Sequence, residues 1–225
     1  MSRQKRPRGL SPAGDVRYIR EALDARRTDI LRASPRMFES DLLDRLSRVH
    51  PLIPLIIFVP AVTVLFVVGA RRLTTAETFG LLVAGWLLWT LTEYWLHRLV
   101  FHFEPEEGPG ARLHWIIHGV HHDHPNDPLR LVMPPSVSVP LAAGFYGLFV
   151  ALLPAADVFA AGFLLGYLVY DMTHYHVHHH RPNTRVGKLV RELHMRHHFQ
   201  DDTRGFGVSA PFWDYVFRTP LRRGR

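Results

Sequence analysis

Four apolar runs, each bounded by polar and charged sequence, dominate the pattern along this chain. Residues 52–70 (LIPLIIFVPAVTVLFVVGA) are nineteen apolar or small residues without a charge, enough for a helix to cross a bilayer. Residues 79–96 form a second run with one internal charge, Glu93. Residues 136–153 and 155–170 form two more, joined at Pro154 and short enough to be tilted or only partly inserted. One such run could be a buried core helix. Four of them in 225 residues predict membrane spans. Ahead of them, VRYIREALDARRTDILRA (16–33) and MFESDLLDRLSRV (37–49) have the mixed apolar and charged pattern of short amphipathic helices. These are expected to lie on lipid headgroups or to pack on the cytoplasmic part. The predicted organisation is a basic amphipathic segment over residues 1–50, with its first ten residues disordered, followed by a membrane domain over 51–225. The expected fold class is all-α: an integral membrane four-helix bundle with a cytoplasmic histidine-rich helical cap.

Charge gives this arrangement a direction. Of the 27 Lys and Arg residues, 25 lie in 1–50, 97–135 and 171–225, and only Arg71 and Arg72 lie on the other side. Cytoplasmic loops collect Lys and Arg, so both ends and the central loop are expected to face the cytoplasm. The net charge of +7 is explained by basic segments beside anionic headgroups, and no nucleic-acid partner is expected. The start, MSRQKRPRGL, is not followed by an apolar core or cleavage site, so no secretory leader is expected. There is no cysteine. That excludes disulfides, thiolate ligands and a catalytic thiol, leaving His, Asp and Glu to build any metal site.

The chemistry is concentrated in histidine. Ten of the 16 histidines form four clusters: His97 with His102; His118, His121 and His122; His174 with His178; and His194, His197 and His198. Imidazole is the commonest metal ligand, and residues three and four apart share a helix face. Three clusters therefore aim their rings into common volumes. His97 and His102, five apart, need a bend or helix end between them. In the predicted topology all four clusters lie on one side at one depth. Ten imidazoles suit two ions with about five ligands each, adjacent residues such as His121 and His122 serving different ions. Imidazole alone does not select among Fe, Zn, Cu and Ni. Glu93, one turn before His97, and Asp171, three residues before His174, are candidates to accept the second ring N–H and fix a tautomer. His50, His124, His176 and His180 are read as bystanders, and His114 and His179 stay open. No catalytic side chain beyond the metal ligands is singled out.

In order and spacing these clusters resemble the histidine boxes of the fatty acid hydroxylase/sterol desaturase superfamily. The segments HGVHHDHPNDPLRLVMPP (118–135), YDMTHYHVHH (170–179) and HMRHHFQDDTRGFGVSAPFWDYVFRT (194–219), with SRVHPLIPLI (47–56), look most like its fatty acid 2-hydroxylase branch. The resemblance spans roughly residues 35–219. It implies a di-iron oxygenase that uses O2 to hydroxylate C2 of a fatty acid or of a lipid's acyl chain, with zinc able to replace iron on purification. Many eukaryotic members carry an N-terminal haem domain that delivers electrons. Residues 1–50 are too few for one, so a separate donor, a haem or iron–sulfur protein with its reductase, is implied. The expected location is a multi-pass membrane position, the inner membrane of a bacterium or the endoplasmic reticulum of a eukaryote. A sterol, carotenoid or other lipid oxygenase of the same superfamily is the nearest alternative. A zinc hydrolase would need only three protein ligands and an open position. A metal transporter would place its ligands near mid-membrane.

Overall fold

The computed structural model describes residues 23–105 and 107–221, so the reading of the first ten residues and the start of the 16–33 helix lie outside the described residues. Every regular element among the described residues is helical. They are α1 (residues 23–32), α2 (Asp41–Leu46), α3 (Leu52–Ala70), α4 (Thr75–Leu96), α5 (Gly108–His114), α6 (Val120–Asp123), α7 (Pro135–Leu152), α8 (Ala156–His179), α9 (Arg185–Phe199) and α10 (Phe212–Val216). Two π-helical turns, His97–Phe101 and Trp115–Gly119, extend α4 and join α5 to α6.

Among the described residues, α3, α4 with its π-helical extension, α7 and α8 are the four helices long and apolar enough to cross a membrane. Two boundaries differ from the apolar pattern. α4 starts at Thr75 rather than 79, because Thr74 and Glu77 form a reciprocal capping box that adds a turn ahead of the apolar run. α8 runs to His179 rather than 170. The segment MTHYHVHH stops being apolar but does not stop being helical, so the histidines ride on the spanning helix itself.

α8 is the central post. Two thirds (67%) of its apolar window is buried within the protein, against 11–28% for the other three spans, which keep their outer faces for lipid. α4 packs against it at backbone contact. A Cβ on Gly162 would sit 2.1 Å from the Leu82 carbonyl oxygen, and one on Gly85 would sit 2.0 Å from that of Phe159. Without a hydrophobic driving force between helices in lipid, such close packing of small residues holds spans together. Next to the glycines, Trp89 packs edge-on against Phe163 and Tyr167, each at 5.2 Å, and Phe58 of α3 reaches Tyr167 at 4.9 Å. Offset and edge contacts of this kind suit the aromatic quadrupole.

The segment before α3 is tied to the loop that follows α6. The Asp44 carboxylate accepts from the Met37 N–H at 2.8 Å and pairs with Arg48 at 3.2 Å and Arg130 at 2.9 Å. Val49 N–H donates to the Leu129 carbonyl, and Arg130 and Arg112 reach the carbonyls of Pro35 and Met37. The segment thus packs on the histidine-bearing side of the protein.

Candidate metal centre

Five elements bring the histidines together, and the first does so by leaving α-helical geometry. Residues five apart on an α-helix point about 140° from each other. At the end of α4 the His102 N–H instead bonds to the His97 carbonyl at 3.1 Å, a π-helical turn. The two rings then meet on one side of the turn, tilted 49° with centroids 4.9 Å apart. This is how the chain meets the expected need for a bend. The second π-helical turn carries His118 into α6, which presents His121 and His122. The last two turns of α8 supply His174 and His178, and α9 supplies His194, His197 and His198.

All ten fall into two groups of five. His97, His102, His118, His122 and His197 form one; His121, His174, His178, His194 and His198 form the other, with the ligand atoms of each group within 4.8 Å of one another. Neighbours in sequence are divided between the groups: His121 from His122, and His197 from His198. In the first group His102 Nε2 lies 3.2 Å from His97 Nε2 and 3.0 Å from His197 Nε2, and His118 and His122 meet at 3.0 Å. In the second, Nε2 atoms meet at 3.0 Å (His174 with His121), 2.8 Å (His178 with His194) and 3.1 Å (His121 with His198).

This donor set fits metal ions. The Nδ1–H groups of His97 and His197 are used outside the group, so in the neutral rings their Nε2 atoms carry lone pairs. One proton on His102 could serve only one of the two that face it. Added charge is no remedy. Burial pushes the His118, His121, His194 and His198 rings well below the usual imidazole range, and neighbouring histidines push them further. Burial first, then His197, takes His102 to about 2 and His122 to about 3. Neutral imidazoles with converging lone pairs are the form that binds a cation.

The outer contacts correct one expectation. Neither Glu93 nor Asp171 receives a ring N–H. Glu93, buried at 3% exposure, accepts from the Ser209 N–H at 2.7 Å and from the Ser209 hydroxyl. Asp171 accepts from the Met133 N–H at 3.4 Å and the Tyr167 hydroxyl at 3.3 Å. For His97 and His197 the acceptors are backbone carbonyls of the loop after α9. His97 Nδ1 donates to the Phe206 carbonyl at 2.6 Å, and His197 Nδ1 to that of Arg204 at 2.7 Å. Such bonds fix tautomer and ring orientation. The loop is pinned in turn by Asp214, which accepts from the N–H groups of Phe206 (2.9 Å) and Gly207 (3.0 Å) and from the Thr219 hydroxyl (2.9 Å). Glu93 anchors its far side. Local spacing could not find these acceptors, since any residue has a carbonyl.

The remaining histidines have other work. His50 Nδ1 accepts from the Leu52 N–H at the start of α3, and His124 Nδ1 donates to the Ile30 carbonyl, docking α1. His176 stacks on His180, and His179 lies 4.4 Å from the Tyr175 ring. His114 and His102 both lie near the exposed Glu104, at 3.7 and 3.8 Å. None of these six belongs to either group of five. Beneath the centre an apolar cleft of about 30 Å³ opens between α4, α7 and α8, lined by Trp89, Leu141, Phe145, Phe163 and Tyr167 among others. Tyr170, one turn above Tyr167, stacks on His174 at 5.7 Å.

Comparisons with known proteins find relatives over most of the chain. The family model for fatty acid hydroxylase matches residues 82–219. A dihydroceramide fatty acyl 2-hydroxylase of Arabidopsis thaliana is 39% identical over 189 residues, covering 82% of this chain and 79% of that protein. The Homo sapiens fatty acid 2-hydroxylase is 38% identical over 211 residues, covering 82% of this chain and 56% of that one. Among solved structures, full-length scs7p, in which only the hydroxylase domain is visible, superposes with a TM-score of 0.76 at 36% identity, covering 81% of this chain and 70% of that one.

Proposed function

The chain belongs to the fatty acid hydroxylase family, and on that premise we propose that it hydroxylates C2 of a fatty acyl chain, free or carried by a membrane lipid. The reading uses two iron ions held by the ten histidines, O2, and two electrons from a separate donor. The observation that carries it is the division of ten imidazoles, seven of them buried and three partly so, into two groups of five at the ends of the spans.

When bound, the ions supply the redox chemistry that side-chain acids and bases lack, so that one atom of O2 enters the C–H bond and the other leaves as water with two electrons and two protons. The chain's residues do the rest. The ten Nε2 atoms form the cradle, and the carbonyls of Phe206 and Arg204 hold His97 and His197 in the metal-facing orientation. The acyl tail enters from the bilayer side between α4, α7 and α8 by parting Trp89, Phe145 and Phe163, whose cleft of about 30 Å³ would have to widen to hold it. From Tyr167 to His174 is seven residues along α8, about 10 Å of helix, so a tail seated there brings the carbons near its carboxyl end to the second group. Tyr170, buried and stacked on His174, walls that end and keeps water out. The bias of 25 basic residues against 2 supports a cytoplasmic centre. The membrane would be the inner membrane in a bacterium and the endoplasmic reticulum in a eukaryote.

The test is mass spectrometry of fatty acids released from membranes of cells expressing the chain, beside a His121→Ala control. 2-Hydroxy acids present only with the intact chain are expected. Unchanged lipids from folded, metal-loaded protein supplied with a reductase would redirect the assignment to a sterol, carotenoid or other lipid.

A further inference from the structure

α9 presents two adjoining faces. One supplies His194, His197 and His198, which are divided between both histidine groups. The other forms the wall of a surface groove of about 520 Å³ lined by Arg181, Lys188, Arg191, Arg196, Glu192 and Phe199 among others. Four cations thus surround one carboxylate. Arg181 and Lys188 are exposed, and the Arg191 Nε–H is buried without a hydrogen-bond partner among the described residues. Within the groove Phe199 is 45% exposed. The Arg27 guanidinium lies 5.9 Å over the Phe199 ring and adds another cation at that end. An exposed aromatic ring among side chains of net positive charge is what an acidic protein partner fits.

Position says what that partner would carry. A helix with its side chains is about 10 Å thick, so the groove lies within one helix thickness of imidazoles of both groups. Hydroxylation under the reading above balances as C–H + O2 + 2 e⁻ + 2 H⁺ → C–OH + H2O. This sequence has no cysteine to hold an iron–sulfur cluster of its own. The two electrons must therefore enter through the surface near the centre. Resting on the hydroxylase reading, we infer that the groove on the outer face of α9 is the docking site of an acidic electron-carrier protein. Its carboxylates meet Arg181, Lys188 and Arg191, and its apolar surface meets Phe199. Charge steers the encounter and governs its rate.

The experiment uses the iron-loaded protein in nanodiscs, with and without anionic lipid, and two reductants: an acidic [2Fe–2S] ferredoxin with its reductase, and dithionite with methyl viologen. The variant Arg181→Glu/Lys188→Glu leaves Arg191 and every histidine in place. We expect its ferredoxin-driven hydroxylation to fall about tenfold or more in kcat/KM, chiefly through a higher KM for ferredoxin, while viologen-driven turnover stays unchanged. Raising the salt should weaken wild-type turnover with ferredoxin and leave viologen turnover alone. Equal ferredoxin-driven activity in variant and wild type would overturn the docking site. So would a defect seen only on anionic nanodiscs, which would make the groove a headgroup contact. Absence of product from the wild type with both reductants would instead remove the hydroxylase reading, and the docking site with it.

Discussion

Asp214 lies far in sequence from most of the histidines, yet its removal should loosen the metal centre. Its carboxylate, 3% exposed, holds the N–H groups of Phe206 and Gly207 and the Thr219 hydroxyl. The carbonyl of that same Phe206 orients His97. In Asp214→Ala the Thr219 hydroxyl retains Tyr94, at 2.8 Å. The two N–H groups lose their acceptor in a buried setting, at about 1–3 kcal/mol each, or about 2–6 kcal/mol together. The loop can recover part of this only by shifting, and a shift moves the carbonyls off His97 and His197. Loss of contacts that orient a ligating histidine typically lowers metal affinity about 10–100-fold. Acting through one intervening peptide, Asp214→Ala should reach the lower part of that range. The assay is metal retained per chain after dialysis against a graded chelator series, with thermal unfolding of the metal-free protein in parallel. Asp214→Asn, which keeps one acceptor oxygen, should fall between. A variant that retains metal like the wild type while losing several kcal/mol of stability would refute the link from Asp214 to His97 and leave Asp214 a purely structural residue.

Four further outcomes are expected. Gly162→Ala places a Cβ 2.1 Å from the Leu82 carbonyl oxygen, a backbone atom that cannot yield without parting α4 from α8. Folded yield from membranes should collapse, whereas Gly80→Ala, with nothing within 4 Å, should behave as wild type. His→Ala at His121, His178 or His197 should abolish product and lower bound metal, while His50→Ala and His180→Ala keep most activity; equal loss at all five would undo the distinction between centre and bystander. On pH, the folded-state values of His102 and His122, about 2 and about 3, lie below the ordinary 6.5. The unfolded chain therefore binds more protons below pH 6.5. The metal-free protein should be most stable above that pH and lose stability steadily down toward pH 3, and a melting temperature flat from pH 7 to 4 would contradict the assignment. Asp44→Ala strands the buried Arg130 guanidinium, whose side chain is 3% exposed; limited proteolysis should then release the segment before α3 without loss of the spans.

How much of this was legible in the sequence depended on whether the determinant was local. The four spans could be read because apolar runs are contiguous. The three i, i+3/i+4 histidine clusters could be read because helix spacing is regular. The π-helical turn at His97–His102 was only signalled as a spacing that an ordinary helix cannot satisfy. The end of α8 was drawn too early, since polarity and helicity part company at Asp171. Glu93 and Asp171 were plausible partners for nearby rings by spacing alone. Glu93 instead bonds Ser209, 116 positions away. The groups that orient His97 and His197 are carbonyls of Phe206 and Arg204, which no side-chain pattern marks.

The central claim is tested most directly by supplying 18O2 to the purified, iron-loaded protein with a reductant and an acyl lipid, and locating the label by fragmentation mass spectrometry. The account predicts a 2-hydroxy acyl product with one 18O atom in its new hydroxyl. Label entering only from water, or product formed equally without O2, would contradict it.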